Sequence, residues 1–123
     1  MRQTFNKLER LKRKKFIQQL FAEGKTVTVF PLKLIYLPSE HDSPYKTQAA
    51  VSVSKRNFKK AVQRNRIKRL MREAYRLNKH LVYDSENTKK HIFMFIYQGR
   101  NEKDYATIEN KMKELLKAFL LKQ

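Results

Sequence analysis

The sequence contains no cysteine, and only 2 of its 123 residues are glycine and 3 are proline. Without cysteine, the chain can form neither a disulfide framework nor a thiolate metal site. So little glycine and proline argues against collagen-like and linker sequences. No apolar run approaches the roughly 18 residues that a membrane-spanning helix needs. These absences exclude a disulfide-stabilised protein and argue against a collagen-like one, and we expect no membrane span.

Acidic residues are scarce as well, because 29 lysines and arginines stand against 11 aspartates and glutamates, giving a formal net charge of +18. Such a charge opposes compaction unless a polyanion neutralises it, so nucleic acid or an anionic membrane surface is the first partner to consider. A hydrophobic fraction of 41%, with 8 phenylalanines and 6 tyrosines, is sufficient for a folded core. The basic start lacks the apolar segment of a secretory signal. We therefore expect one cytoplasmic domain that binds nucleic acid.

The first half of the sequence predicts one helix followed by strands. Apolar residues at helical spacing predict a helix over residues 12–23, with Gly24 as its left-handed C-terminal residue. The β-branched segment 27–37 is interrupted by Pro31, so it is either an edge strand or pairs regularly only after Pro31, with an extra short strand before it. Alternating residues 46–54 predict a second strand in a hairpin with the first.

The second half predicts helix, strand and helix. Residues 61–79 are helical, and the nearly continuous apolar segment 91–97 is typical of a central strand that is covered on both faces. Asp104 is a good N-cap for a last amphipathic helix. The apolar stripe of that helix comprises Ile108, Met112, Leu115, Leu116 and Phe119. The order α-β-β-α-β-α, with the extra short strand, predicts an α+β fold.

The charge is concentrated in one stretch, which contains no Asp or Glu from residue 55 to residue 72. Its basic residues are Lys55, Arg56, Lys59, Lys60, Arg64, Arg66, Lys68, Arg69 and Arg72. On a helical wheel, one apolar stripe comprises Ile67, Leu70, Met71 and Ala74, and the opposite face comprises Asn65, Arg69, Arg72 and Arg76. Like charges three and four residues apart repel each other unless an anion lies between them. This arginine-rich face therefore predicts a phosphate-binding surface.

The segment RNRIKRLMRE at residues 64–73 closely resembles the RNR signature of the bacterial ribonuclease P protein subunit. It is preceded by SVSKR at residues 52–56 and by Ala61-Val62, as in that signature. The resemblance extends along most of the chain. The other matching features are the first helix with Phe21 and Gly24, the strand 32–37, the apolar strand 92–97 and the closing helix with Leu115-Leu116-Lys117.

The resemblance implies a protein without catalytic residues, in an endonuclease whose active centre is an RNA that binds Mg²⁺. The protein would be a monomer in the complex, would bind this catalytic RNA, and would hold the 5′ leader of precursor tRNA during its removal. The residues that would face the catalytic RNA are Arg64, Asn65, Arg66, Lys68, Arg69 and Arg72. The residues that would line the leader cleft are Ile17, Phe21, Tyr36, Ser52, Ser54, Lys55 and Arg56.

The length predicts one domain over residues 1–123, with residues 1–8 as a flexible basic N-terminus. The resemblance implies that strand 48–54, helix 61–79 and strand 91–97 form a parallel β-α-β unit with a left-handed crossover, against the usual right-handed rule. At two positions this chain differs from the family pattern. Ile17 stands where a second cleft aromatic is frequent, and Ile35 and Tyr36 are alternatives for the strand residue that lines the cleft.

Two other classes of protein compete with this interpretation. A ribosomal or other structural RNA-binding protein would share the basic composition but more often carries a long disordered basic tail, whereas this chain closes with an amphipathic helix. A nuclease that works alone needs clustered carboxylates or histidines. The one local group, Glu40-His41-Asp42, lies in a loop rich in proline and serine and is expected to be a solvated turn.

Overall fold

The computed structural model describes residue 5, residues 7–86 and residues 88–123. A 3-10 helix at Lys7–Glu9 precedes eight elements: α1 (Lys14–Glu23), β1 (Lys25–Val29), β2 (Leu32–Pro38), β3 (Thr47–Val53), α2 (Ala61–Asn78), α3 (His80–Tyr83), β4 (His91–Tyr97) and α4 (Tyr105–Leu121). The predicted α+β order is confirmed, and β1 is the extra short strand before Pro31. The single-turn helix α3 lies between the predicted helix 61–79 and the predicted strand 91–97, a stretch for which the sequence predicted neither helix nor strand.

Strand β4 lies inside the sheet, as its apolar sequence predicts. The strand order is β1-β2-β4-β3. Strands β1 and β2, and β2 and β4, pair antiparallel, whereas β3 and β4 pair parallel. Residues 91–95 of β4 are all buried. An apolar strand can be covered on both faces without burying unpaired polar side chains, so the central position suits β4.

The predicted hairpin between residues 46–54 and the first strand is wrong. Strand β2 pairs with β1 and β4, and β3 lies on the far side of β4. The connection from β2 passes the start of β4, where the Ser39 amide donates to the Lys90 carbonyl at 3.0 Å and the His91 amide donates to the Lys46 carbonyl at 2.8 Å. Alternating apolar residues specify the buried face of a strand but not its partner. The parallel β3-α2-β4 unit is confirmed, and the hand of its crossover stays a prediction.

The two faces of the sheet carry separate apolar clusters. The larger cluster fills the space between the sheet and helices α2 and α4, and includes Leu34, Phe95, Ile67 and Met112. The smaller cluster packs the other face against α1 and comprises Leu11, Leu20, Ile35, Ile92 and Met94. Asp104 caps α4 as predicted, since its carboxylate accepts the Thr107 amide at 3.0 Å. All five residues of the predicted apolar stripe of α4 are buried.

A buried ion pair connects the segment before α1 to the end of α2. The Lys79 ammonium donates to the Glu9 carboxylate at 2.6 Å, and the two side chains are 3% and 1% exposed. The Tyr83 hydroxyl also donates to Glu9. Separating the two residues would leave a buried charge without its partner, which is strongly destabilising. The pair therefore favours this position of the N-terminal segment.

The same segment is bound to the edge of β3. The Leu11 amide donates to the Ala49 carbonyl at 2.9 Å, and the Ser43 hydroxyl donates to the Leu8 carbonyl at 2.7 Å. Residues 1–4 and 6 of the predicted flexible N-terminus lie outside the described residues. Leu8, by contrast, is held by this hydrogen bond.

Gly24 is required by a close approach and not by a left-handed conformation. Its φ of −66° and ψ of 150° are extended, which corrects the predicted left-handed cap. A Cβ at this position would lie 2.4 Å from the Leu20 carbonyl oxygen and 2.6 Å from Cγ2 of Ile35. The glycine therefore allows the chain to leave α1 against β2.

We expect Gly24→Ala to lower the free energy of unfolding by about 1–3 kcal/mol, the usual cost of overpacking. The added methyl group meets backbone, which cannot rotate away. Chemical denaturation measures the change, with Ala22→Ser at an exposed position of the same helix as the control. An unchanged denaturation midpoint for Gly24→Ala would contradict the close approach.

His91 is a buried titratable group at the start of β4. Its ring packs against Phe119 at a centroid distance of 5.1 Å, and its Nδ1 lies 2.7 Å from the Lys89 carbonyl oxygen. Burial lowers the pKa of His91, and the hydrogen bond to Lys89 opposes this shift only in part. The folded protein therefore favours the neutral imidazole.

Because the unfolded chain takes up this proton more readily, the stability of the fold should decrease as the pH falls below about 6.5, the ordinary histidine pKa. One such proton changes the free energy of unfolding by at most about 1.4 kcal/mol per pH unit. Urea denaturation between pH 7 and pH 5 should show a smaller loss for His91→Phe than for the wild-type chain. The same pH slope in both proteins would refute this role of His91.

Candidate nucleic-acid interface

Helix α2 buries one side and presents the other to solvent, as the wheel predicts. Ile67, Met71 and Ala74 are fully buried against the larger cluster. The RNA-facing residues proposed from the sequence form what we call the α2 ridge: Arg64, Asn65, Arg66, Lys68, Arg69 and Arg72. Asn65, Arg66, Arg69 and Arg72 are exposed, whereas Arg64 and Lys68 are half-buried. One helix thus positions most of the predicted cations on a single accessible surface.

The first arginine of the ridge also organises the entry to α2. Its Nη1 donates to the carbonyl oxygens of Phe58 at 2.8 Å and Lys59 at 2.9 Å. Helix α2 begins at Ala61, after an N-cap residue, Lys60, that makes no side-chain cap hydrogen bond. Arg64 therefore holds the turn that precedes the helix.

The second arginine has an acidic partner from another element. Nη1 of Arg66 donates to both carboxylate oxygens of Glu102, at 3.1 and 3.2 Å. Glu102 belongs to the loop between β4 and α4. This contact was not foreseen from the sequence, because the two residues are distant along the chain and no local pattern connects them.

The end of the ridge lies beside the N-terminal segment. Arg72, Arg10 and Lys12 line one surface depression together with residues 49–51 of β3. Partial burial lowers the pKa of Arg72, and the nearby charge of Arg10 lowers it further. Two guanidinium groups that repel each other at one depression form a site that an anion would stabilise.

The residues assigned to the leader cleft lie mainly on the α1 side of the sheet. Ile17 packs against the smaller cluster, and Phe21 on the same helix is exposed. Ser52 and Ser54 alternate with Val51 and Val53, which face the other side of the sheet. Lys55 and Arg56 follow in the turn after β3 and are exposed. We call this surface the α1-side cleft: Ile17, Phe21, Ile35, Ser52, Ser54, Lys55 and Arg56.

The assignment of Tyr36 to this cleft is wrong in its geometry. Tyr36 is 4% exposed and packs edge-on against Phe119, with 4.9 Å between ring centroids, on the α2–α4 side of the sheet. Its neighbour Ile35 belongs to the cluster under α1. Because successive strand residues point to opposite faces, choosing between adjacent residues decides the face. Of the two alternatives left by the sequence, Ile35 is the one on the cleft side.

The cleft side extends to residues that the sequence did not indicate. Arg100 and Gln98 line one depression with Ser54 and Arg56, at the end of the paired strands β3 and β4. Parallel strands bring their carboxyl ends to the same edge of the sheet. The parallel pairing therefore places residues 98–100, which follow β4, beside residues 54–56, which follow β3.

Within residues 5, 7–86 and 88–123, no group of three or more histidine, aspartate or glutamate side chains is arranged to hold a metal ion. In the Glu40-His41-Asp42 segment, His41 is buried, which differs from the expected solvated turn, and Asp42 pairs with Arg13 at 2.9 Å. In that same described part of the chain, no helix is long and apolar enough to cross a membrane.

Comparisons with known proteins agree with this geometry. A family model described as Ribonuclease P matches residues 5–120. The ribonuclease P protein component of Porphyromonas gingivalis is 43% identical over 114 residues, which cover 90% of this chain and 82% of the relative. The RNase P protein from Thermotoga maritima is 25% identical with a TM-score of 0.72, over 89% of this chain and 96% of that chain. The fold also matches the RNase P protein of Staphylococcus aureus, with a TM-score of 0.73 at 22% identity, over 90% of this chain and 94% of that chain. The chain therefore belongs to the family of ribonuclease P protein components, the protein subunits of a tRNA-processing ribonucleoprotein.

Proposed function

We propose that this chain binds the catalytic RNA of a ribonuclease P through the α2 ridge and holds the 5′ leader of precursor tRNA in the α1-side cleft. The complex then removes the leader to give the mature 5′ end of the tRNA. The RNA and its bound Mg²⁺ carry the chemistry, and the protein acts as one monomeric copy in the cytoplasm. Its partners are the RNA subunit and precursor tRNA.

The observation that carries the proposal is the exposed, cation-rich side of α2. Arg69 and Arg72 are exposed one turn apart, and Asn65 lies one turn before Arg69. On the opposite side of the helix, which packs on the sheet, the apolar side chains of Ile67 and Met71 are fully buried. Arginine is suited to a phosphate backbone because its planar guanidinium donates two parallel hydrogen bonds.

The cleft supports the second part of the proposal. Phe21 is an exposed aromatic ring beside a partly apolar sheet face, and stacking on such a ring favours a single strand over a duplex. Ser52 and Ser54 supply hydroxyl groups on the same face, and the Ser54 hydroxyl accepts the Arg56 amide at 3.1 Å. A single-stranded leader, whose bases are free to stack, matches these features better than a helical RNA does.

The distribution of acids supports an RNA-centred chemistry. Cleavage of a phosphodiester by a protein-bound metal would need several carboxylates around one point. Such a cluster is absent from the part of the chain that the structure describes. The proposal therefore assigns Mg²⁺ to the RNA and gives the protein the tasks of binding and positioning.

We expect Arg69→Ala to weaken binding of a bacterial ribonuclease P RNA transcript. The variant should also make the slope of log K against log[salt] shallower by about 0.9, because one phosphate contact is lost. Filter binding over a range of salt concentrations measures both quantities. The control is Lys113→Ala, which removes one exposed positive charge from α4.

Equal losses for Arg69→Ala and Lys113→Ala would contradict docking through the α2 ridge. A structural RNA-binding protein, the alternative function, would bind the ribonuclease P RNA no better than a control RNA of equal length. That result would contradict the proposed function itself.

We expect Phe21→Ala to reduce the affinity of the reconstituted complex for precursor tRNA with a long leader by about 1–3 kcal/mol, the value of one stacked base. Leaderless tRNA should bind equally well to the variant and the wild type. Single-turnover cleavage and binding assays measure the difference, and the protein without RNA should leave precursor tRNA intact. Equal losses with both RNAs would remove Phe21 from the leader site, and cleavage by RNA-free protein would overturn the assignment of chemistry to the RNA.

A further inference from the structure

The contact between Arg66 and Glu102 places a carboxylate on the surface proposed to bind RNA. Nη1 of Arg66 lies 3.1 and 3.2 Å from the two carboxylate oxygens. The Arg66 side chain is 57% exposed, whereas that of Glu102 is 28% exposed. The carboxylate is thus partly shielded from solvent, and the guanidinium remains accessible to a partner.

The backbone on both sides of Glu102 is fixed. The Tyr97 hydroxyl donates to the Asn101 carbonyl at 2.6 Å, immediately before Glu102. Two residues after it, Asp104 caps α4 through the Thr107 amide at 3.0 Å. Because these two hydrogen bonds hold the backbone around Glu102, forming the ion pair immobilises little beyond the two side chains.

We propose that Glu102 is an internal competitor for the RNA phosphate that Arg66 would bind. This inference rests on the proposed function only in taking the α2 ridge as the RNA-binding surface. Glu102 accepts from Nη1, which is one edge of a guanidinium that carries five N–H donors, so a phosphate must either take Nη1 or approach the other nitrogens beside the carboxylate. RNA must therefore either displace the carboxylate or bind with two negative groups next to each other.

The competition determines two measurable properties of the ridge. It lowers the affinity for RNA, because the favourable free energy of a phosphate contact at Arg66 is partly offset by the loss of the ion pair with Glu102. It also makes binding less dependent on salt, because a phosphate that replaces a carboxylate releases fewer counterions than one that binds a solvated arginine. Glu102 thus limits how much of the charge on Arg66 is available to a phosphate backbone.

The pair between Lys111 and Glu114 on α4 supplies a matched control. It is an ion pair within one helix at 3.6 Å, and Glu114 is exposed. Glu102→Gln and Glu114→Gln raise the net charge of the chain by the same amount. Any difference between them in RNA binding therefore reports on the position of the carboxylate and not on total charge.

The experiment measures the Kd of the wild-type chain and both variants by filter binding at several salt concentrations. The probes are a bacterial ribonuclease P RNA transcript and a control RNA of equal length. We expect Glu102→Gln to bind the ribonuclease P RNA about two- to fivefold more tightly than Glu114→Gln, the range of partly exposed ion pairs. Its salt slope should be steeper by up to about 0.9.

A double-mutant cycle identifies Arg66 as the residue through which Glu102 acts. In an Arg66→Ala background, Glu102→Gln should change the Kd no more than Glu114→Gln does. Thermal unfolding of each variant verifies that the chain is folded at the assay temperature.

Three results would overturn the inference: equal effects of the two glutamine variants, a gain that persists without Arg66, or weaker binding by Glu102→Gln, which would mean that the carboxylate assists RNA binding. Failure of the proposed function gives a different result. In that case the wild-type chain binds the ribonuclease P RNA no better than the control RNA, whatever the order of the variants.

Discussion

The rest of the structure depends on the burial of β4 on both faces. One face of this strand contributes Phe93, Phe95 and Tyr97 to the cluster under α2 and α4, and the other contributes Ile92 and Met94 to the cluster under α1. A strand of this kind needs neighbours on both edges and a layer on each side. It therefore separates β2 from β3, and it separates the helix that carries the α2 ridge from the helix that borders the α1-side cleft.

The excess positive charge is distributed over this framework in a way that keeps the fold intact. The buried Glu9–Lys79 pair secures the N-terminal segment, so that Arg10 lies near Arg72 despite their mutual repulsion. Elsewhere, acids from distant segments partly neutralise single arginines, as Glu102 does for Arg66 and Asp42 for Arg13. The repulsion between Arg10 and Arg72 lies at the end of the α2 ridge, where RNA is proposed to bind.

The sequence predicts those features that depend on local spacing. Residues close together in the sequence determine the buried and exposed sides of α2, the Asp104 cap and the central position of β4. The strand that pairs with β3 cannot be predicted in this way, because alternating apolar residues show which face of a strand is buried and not which strand lies beside it. The choice between Ile35 and Tyr36 fails for the same reason, since a shift of one residue inverts the face.

Contacts between distant segments are the other part that spacing cannot supply. The Arg66–Glu102 pair and the burial of His41 depend on how loops pack after the sheet is assembled. The close approach at Gly24 likewise requires β2 to lie against the end of α1. The family resemblance supplied proposed residue roles that spacing alone could not, and these residues lie on the α2 ridge and in the α1-side cleft, with Tyr36 as the exception.

In the proposed complex, the α2 ridge faces the catalytic RNA and the α1-side cleft faces the leader. Because the chain has no cysteine, single variants Asn65→Cys on α2 and Gln18→Cys on α1 can each carry one iron–EDTA probe that generates hydroxyl radicals. In a complex with a bacterial ribonuclease P RNA and precursor tRNA, the probe at residue 65 should cut the ribonuclease P RNA and the probe at residue 18 should cut the leader. Reversed targets, or cleavage of the same RNA by both probes, would contradict the account.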